Sequence, residues 1–569
     1  MEKRVALAVA LSIGVLLLWS VLFPAPKPPP APAQPQQQAQ PTAPATAQNP
    51  PGAPGVPAAA GTGAAPAPSA NKPEQVLEIA TPEARYVFSS LGGTLVHAKL
   101  RERQFLDDAK DPNSGHDVVR VTDPAHAPFG TKFPESGFPS PADAAWDASQ
   151  PSPDTVVFSA DSGNAHIEKR YRVDKAARYR LQLEVVVSNR GDAPIGSHLA
   201  LSVSGKQDPD KRGGGFFSQG SSNISSALCY VNGDVERKSI EAFSKDPKDG
   251  IKEEKGKGTV TWIGTDEKFF LLAAVPPAET TGNSRVCRTE GLGPDLGQVT
   301  LLFPERVVAP KTDVSYPFTV FVGPKFMDDL EAVQPPAAPG ATAAAPVEVN
   351  LHKAVDVTLG VLAGPLLWLM KFFHRFVNNW GLAIILLTIF IRLVTFYPAQ
   401  RSLVSAKKMQ KLGPKMAAIR KKYENDRQRQ SVETMNLYKA HGVSPFGGCL
   451  PSLIQMPIWI ALYSTLNYAV ELYRAPFVFH LHDLTARDPY YITPLLMGGV
   501  MFGQMKMSPA GADPQQQAMM SVMMPIMFTG FSLFLPSGLA LYMLTSYLIG
   551  ILQQLYVNHV DRKGSPATA

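Results

Sequence analysis

The chain has 569 residues, enough for two or three domains, and its net charge of +6 is the balance of 54 basic and 48 acidic side chains. Average hydropathy is near zero only because a Pro/Ala/Gln tract and a polar middle offset several long uncharged runs. The basic residues flank those runs, which favours membrane topology over DNA recognition. The three cysteines form no CxxC and no Cys/His spacing for a metal, so no metal or cofactor is expected.

Val5 to Phe23 is an uncharged run of 19 residues behind Lys3 and Arg4, nearly long enough to span a bilayer. Residues 1–23 read as a transmembrane anchor with its N-terminus inside. A cleaved signal peptide is the alternative, although Ala31-Pro32-Ala33 lies far downstream for a cleavage site. Residues 24–72 are almost wholly Pro, Ala, Gln, Gly and Thr, a disordered linker.

Residues 73–332 change to short β-type segments. Leu181, Leu183, Val185 and Val187 alternate with Arg180, Gln182, Glu184 and Val186, one face for a core and one mostly for water. Similar runs at 155–160, 166–173, 259–263 and 316–322, separated by Gly/Pro/Asp turns, predict a large antiparallel sandwich. Cys229 and Cys287 fall in this domain, outside the cytoplasm, where they can pair; two buried free thiols are the alternative. A second Pro/Ala linker covers 333–350. Over 351–378, Leu359, Leu362, Leu366, Leu369 and Phe373 make an apolar stripe beside Lys371, His374 and Arg375, which predicts an amphipathic helix lying in the membrane interface. A spanning helix is the alternative.

Residues 379–558 read as a five-helix core with spans at about 380–397, 446–468, 490–506, 519–535 and 538–556, six crossings with the anchor. The segment between the first two spans is rich in Lys and Arg, from Arg401 to Lys439, and so belongs in the cytoplasm. It reads as a basic helical hairpin over 401–441, two helices joined near Asn425-Asp426. Its partners could be ribosomal RNA, anionic lipid or an emerging chain, and a solvated loop with no partner explains the charge equally. Residues 559–569 form a short cytoplasmic tail.

Arg392 is the most informative residue. A charge well inside an apolar span costs on the order of 3 kcal/mol or more, and a guanidinium cannot shed its proton. Thr388 lies four residues earlier on the same helix face. The pair defines a polar stripe facing the bundle; an arginine snorkelling to the headgroups is the alternative. Gln455, Asn467, Tyr542, Thr545 and Ser546 could complete a polar lining or simply make interhelical hydrogen bonds. The spans hold no acid to pair with Arg392, which argues against an ion-coupled transporter. No Gly-x-Ser-x-Gly, His-Glu-x-x-His or phosphate loop is present, so no enzyme is expected.

Several motifs resemble one family closely: Asn379-Trp380-Gly381, Thr388 spaced to Arg392, Pro445-Phe446-Gly447-Gly448-Cys449-Leu450-Pro451, Gln455-Met456-Pro457-Ile458, His482-Asp483-Leu484, Asp488-Pro489-Tyr490-Tyr491 and Phe534-Leu535-Pro536-Ser537-Gly538-Leu539. They are similar to the YidC insertases of Gram-negative bacteria, part of the YidC/Oxa/Alb family. The organisation matches along the whole chain, and the motifs are specific from about Trp380 to Tyr556. The resemblance implies a cell inner-membrane protein with a periplasmic β-supersandwich, an interfacial helix and a five-helix core enclosing a hydrophilic groove. Both termini would be cytoplasmic and residues 24–378 mostly periplasmic.

It also implies an insertase and chaperone for nascent membrane proteins, acting alone or with the Sec translocon, with the ribosome one candidate partner of the hairpin 401–441. Arg392, Thr388, Gln455 and Tyr542 would line the substrate groove, with Met543 where many relatives carry a second tyrosine. A solute transporter or channel, or a tethered sugar-binding or epimerase-like sandwich, are the competing readings.

Overall fold

The computed structural model describes residues 72–564 except 109, 112, 142–144, 209–224, 246–256, 279–283, 339–347, 356–359, 443–449 and 508–518. The anchor expected over 1–23 and most of the linker expected over 24–72 lie outside the described residues, and so do Pro445 to Cys449. What is described belongs to one unit, Ala70–Ala569.

Alternating apolar residues build its first half. Arg180–Asn189 buries every second side chain, Leu181, Leu183, Val185 and Val187 among them, as expected of a strand with one covered face. It lies inside a nine-stranded antiparallel sheet ordered Asp234–Ser239, Ser226–Val231, Val260–Asp266, Phe270–Val275, Asp313–Pro324, Arg180–Asn189, Ala165–Val173, Thr155–Ser162 and Asp147–Ser152. Ser226–Val231 and Phe270–Val275 are buried at every position, the mark of strands covered on both faces.

One of those covers is a five-stranded sheet ordered Lys257–Gly258, Arg285–Gly291, Leu296–Leu302, Ala200–Lys206 and Gly130–Lys132. Cys229 of the larger sheet and Cys287 of the smaller form a disulfide with Cα atoms 6.4 Å apart, so the two layers are joined covalently.

The ends of the second Pro/Ala segment belong to this core. Val333 and Val349 are buried in it, as are Leu351 and Ala354 of a 3-10 turn, Leu351–Ala354. The Trp262 indole donates to the Val349 carbonyl at 3.1 Å, and Arg237 donates to Ala354 O at 2.6 Å. The amphipathic helix, α1, spans Gly360–Val377, so the 351–355 stretch assigned to it on sequence is instead a strap on the sandwich. Its apolar residues had no partner identifiable from local spacing.

The second half is helical: α2 Trp380–Val394, α3 Phe396–Lys411, α4 Gly413–Lys422, α5 Arg427–Ala440, α6 Leu450–Tyr468, α7 Ile492–Met507, α8 Met524–Ser532 and α9 Ser537–Gly564. The stretch read as one span over 380–397 breaks at Thr395, where α2 and α3 meet at 60°. The basic segment holds three helices rather than two, because Pro414 at the start of α4 cannot continue α3. Among the described residues only Ser537–His559 is by itself long and apolar enough to cross a membrane, with α2 and α3 qualifying as a bent pair. α2 alone, at 15 residues, is about 23 Å long. α7 and α8 approach closely: a Cβ on Gly498 of α7 would collide with the Thr529 hydroxyl of α8.

Candidate functional site

α2 starts where the Asn379 side chain accepts a hydrogen bond from Leu382 N at 3.1 Å, a standard N-cap. From there Gly381, Ile384, Leu387, Thr388 and Ile391 recur at helical spacing and are buried, while Leu382, Ile389, Phe390, Leu393 and Val394 are exposed. The helix thus has one side for the bundle and a wide apolar side left exposed. Thr388 is fully buried, and its Oγ1 donates to its own helix at Ile384 O, 2.7 Å away. Its polarity is satisfied locally.

Arg392, one turn on, sits at the edge of that buried side and is half-buried. Its Nε is buried and has no hydrogen-bond partner, and among the described residues no carboxylate forms an ion pair with it. Its electrostatic neighbours are the phenols of Tyr542 and Tyr547 on α9. Gln455 of α6 donates from Nε2 to the Tyr542 hydroxyl at 2.6 Å. Three helices therefore bring an amide, two phenols and an uncompensated cation together. A site of this kind offers hydrogen-bond donors and positive charge to a polar or acidic segment, and it contains no nucleophile paired with a base. No set of three or more potential metal ligands occurs among the described residues.

Of the five residues singled out from sequence, Arg392, Gln455 and Tyr542 converge and Thr388 lies one turn away on the same helix. Met543 is buried in the apolar centre of the bundle with Leu539 and Leu541. Sequence reasoning did not single out Tyr547 or Gln553. Gln553 is buried, and its Nε2 donates to Phe396 O at 3.4 Å, beside the break between α2 and α3. The spacing of Tyr542, Ser546 and Gln553 on one helical face was a usable signal.

The side of the bundle away from the basic helices is closed by the loop between α6 and α7. Ser537 N donates to Ala486 O at 2.7 Å, Gly538 N to Leu484 O at 2.9 Å and the Ser537 hydroxyl to Asp483 O at 2.9 Å. The start of α9 is thus sewn to this loop. Phe477 of the loop lies against Gly381, where a Cβ would collide with its ring.

Two family models match the chain, that of the YidC periplasmic domain over residues 76–369 and that of the 60Kd inner membrane protein over residues 372–564. The chain is 36% identical over 576 residues to the membrane protein insertase YidC of Anaeromyxobacter sp. (strain K), covering 100% of this chain and 99% of the relative. It is 33% identical over 576 residues to the membrane protein insertase YidC of Syntrophus aciditrophicus (strain SB), covering 98% and 99%. A crystal structure of an active YidC insertase with its first transmembrane domain resolved aligns over 84% of this chain and 92% of its own, at 18% identity and a TM-score of 0.35.

Proposed function

The chain belongs to the YidC family of membrane protein insertases, and we propose that Arg392, Gln455 and Tyr542, with Thr388 beside them, line the path by which it inserts its clients. The observation that carries this reading is the Arg392 guanidinium, held half-buried in an apolar bundle with its Nε unpartnered. A charge kept at such cost calls for a balancing partner, which the described residues of the bundle do not supply. An acidic or polar stretch of a nascent membrane protein supplies that partner. It enters beside Arg392, exchanges water for the guanidinium, the Gln455 amide and the Tyr542 hydroxyl, and so crosses part of the bilayer with less desolvation. The adjoining apolar stretch leaves sideways into lipid, each large apolar residue contributing roughly 0.3–0.6 kcal/mol. Short helices such as α2 favour this, since a thinner apolar layer lowers the barrier further. No nucleotide or covalent step is involved.

On this reading five helical segments, α2, α6, α7, α8 with its preceding turn, and α9, cross the inner membrane, preceded by an anchor within residues 1–23. α1 lies in the periplasmic interface: Trp368, Phe372 and Phe376 are exposed on it. The sandwich is periplasmic and the helices α3 to α5 face the cytoplasm, where their basic side chains are placed to meet ribosomes; the Sec translocon is the natural lateral partner. Solute transport gains no support from relatives that are insertases by name.

The test is depletion of the protein followed by protease-accessibility assays on small membrane proteins. Wild type restores insertion, Arg392→Lys restores it in part, and Arg392→Ala fails for clients with acidic translocated segments. Full restoration of every client by Arg392→Ala removes Arg392 from the path, and normal insertion after depletion removes the function itself.

A further inference from the structure

The loop between α6 and α7 carries a feature that insertion chemistry leaves unused. At its tip Phe479 is 92% exposed with φ 53°, and Val478 beside it is 45% exposed. The left-handed region is costly for a bulky residue, so a phenylalanine held there with its ring extended is maintained against both backbone and solvent preference. The surroundings maintain it. Phe477 N donates to Leu481 O at 2.8 Å and Leu481 N to Val478 O at 3.1 Å, closing a tight hairpin under the ring. Phe477 is wedged at Gly381 in the first turn of α2, which fixes the height of the hairpin at the end of a span.

The exposed ring has aromatic company. His480 sets its ring edge-on to Tyr490 at 5.8 Å, and Tyr490 and Tyr491, immediately before α7, are 67% and 47% exposed. Charges that would resist burial nearby are already engaged: Arg474 pairs with Asp107, and buried Asp488 accepts from Thr493 N at 2.7 Å, Tyr490 N at 3.0 Å and the His480 ring at 3.2 Å. Aromatic rings level with the ends of apolar spans are where a bilayer changes from acyl chain to headgroup, the place that suits an apolar ring with polar neighbours.

We infer that the Val478-Phe479 tip is a lipid anchor that enters the headgroup boundary of the periplasmic leaflet, with Tyr490 and Tyr491 beside it. The anchor sets the depth of the loop that closes the bundle, because that loop is bonded to the starts of α2 and α9. The inference rests on the proposed topology, in which this loop faces the periplasm.

The test uses the full-length protein with Cys449→Ser and the Cys229–Cys287 disulfide intact, in vesicles of phosphatidylethanolamine and phosphatidylglycerol. Nitroxides are attached at Phe479→Cys and, as an aqueous control on the same loop, at Ala486→Cys. Oxygen collides with the label at 479 more often than a water-soluble nickel chelate does, and nickel access there is several-fold below that at 486. Equal nickel access at the two positions overturns the inference, as does a label at 479 that becomes shielded only when a ribosome-bound client is supplied. Labelling of Ala486→Cys in intact cells by a membrane-impermeant maleimide separates the two failures. If 486 is unreachable from outside, the topology fails and the anchor with it; if 486 is reachable and 479 is wet, the anchor alone fails.

Discussion

A single side chain in the sandwich is poised to make stability depend on pH. Lys169 is fully buried, and its Nζ donates to Phe129 O at 2.7 Å and Gly92 O at 2.9 Å, with the Trp146 and Tyr171 rings within 6 Å. Burial lowers its pKa to about 7. In the unfolded chain the amine keeps its proton up to about pH 10.4. Between those values the unfolded state binds more protons, so sandwich stability rises with pH across this window. The penalty, on the order of 5 kcal/mol, is complete below pH 7 and fades above it. Unfolding of wild type followed from about pH 7 to pH 10 should show this rise, and Lys169→Met should flatten it. Lys325, buried beside Asp266 at 2.7 Å, is pushed in the same direction by burial, so part of the slope survives. A variant with the wild-type slope would show that the amine is not the source. The two carbonyls it serves explain why a lysine is tolerated there at all, and nothing in the alternation of Ala165–Val173 distinguishes Lys169 from an ordinary core position.

At the scale of elements, two contacts are open to direct test. Gly381 lets the first turn of α2 meet Phe477, so Gly381→Ala should cost about 1–3 kcal/mol by overpacking. Combining it with Phe477→Ala should recover part of that loss, because neighbouring changes couple; additive losses in thermal unfolding of the detergent-solubilised protein would show that the two residues do not press on each other. The Cys229–Cys287 bridge closes a separation of 58 residues, and Cys229→Ser with Cys287→Ser should lower sandwich stability by about 2–4 kcal/mol. The reach of sequence reasoning differs between these elements. The strands at Thr155–Ser162, Ala165–Val173, Arg180–Asn189 and Asp313–Pro324 were legible because period-two alternation is a local property. The helical character of the second half was legible from uncharged runs. The break at Thr395 was not, since it depends on how α2 and α3 pack; Gln553 shares a helical face with Tyr542 and Ser546, but its bond to the adjoining Phe396 is set by that packing. Arg392 was legible for the opposite reason: a lone cation in an apolar run violates the local pattern by itself.

Across the whole molecule, the two halves share a hydrophobic core. Val470, from the turn after α6, is fully buried within the sandwich cluster, and Tyr473 packs its ring 5.2 Å from Phe269, 5.4 Å from Phe270 and 5.7 Å from Phe105. Arg474 adds a bond to Leu106 O at 3.0 Å and an ion pair with Asp107. Lys371 of α1 reaches Glu471 at 2.8 Å and Asp328 at 3.6 Å, tying that helix to both. The bond from Arg474 to Leu106 joins residues 368 positions apart, which no periodicity could reveal. These contacts place the loop that closes the bundle under the control of the sandwich. Truncating a buried aromatic costs about 3–5 kcal/mol, and here that loss falls on the junction rather than on either half, because the sandwich retains its own disulfide and most of its core. Tyr473→Ala in the full-length protein should therefore leave the circular dichroism of both halves unchanged. Amide exchange should rise in residues 470–491 and in Phe270–Val275, and protease should cut faster between residues 333 and 350. If exchange rises throughout the sandwich instead, Tyr473 is part of the sandwich's own stability; if it rises nowhere, the junction is held by Arg474 and Lys371 alone, and Arg474→Ala becomes the variant that separates the halves.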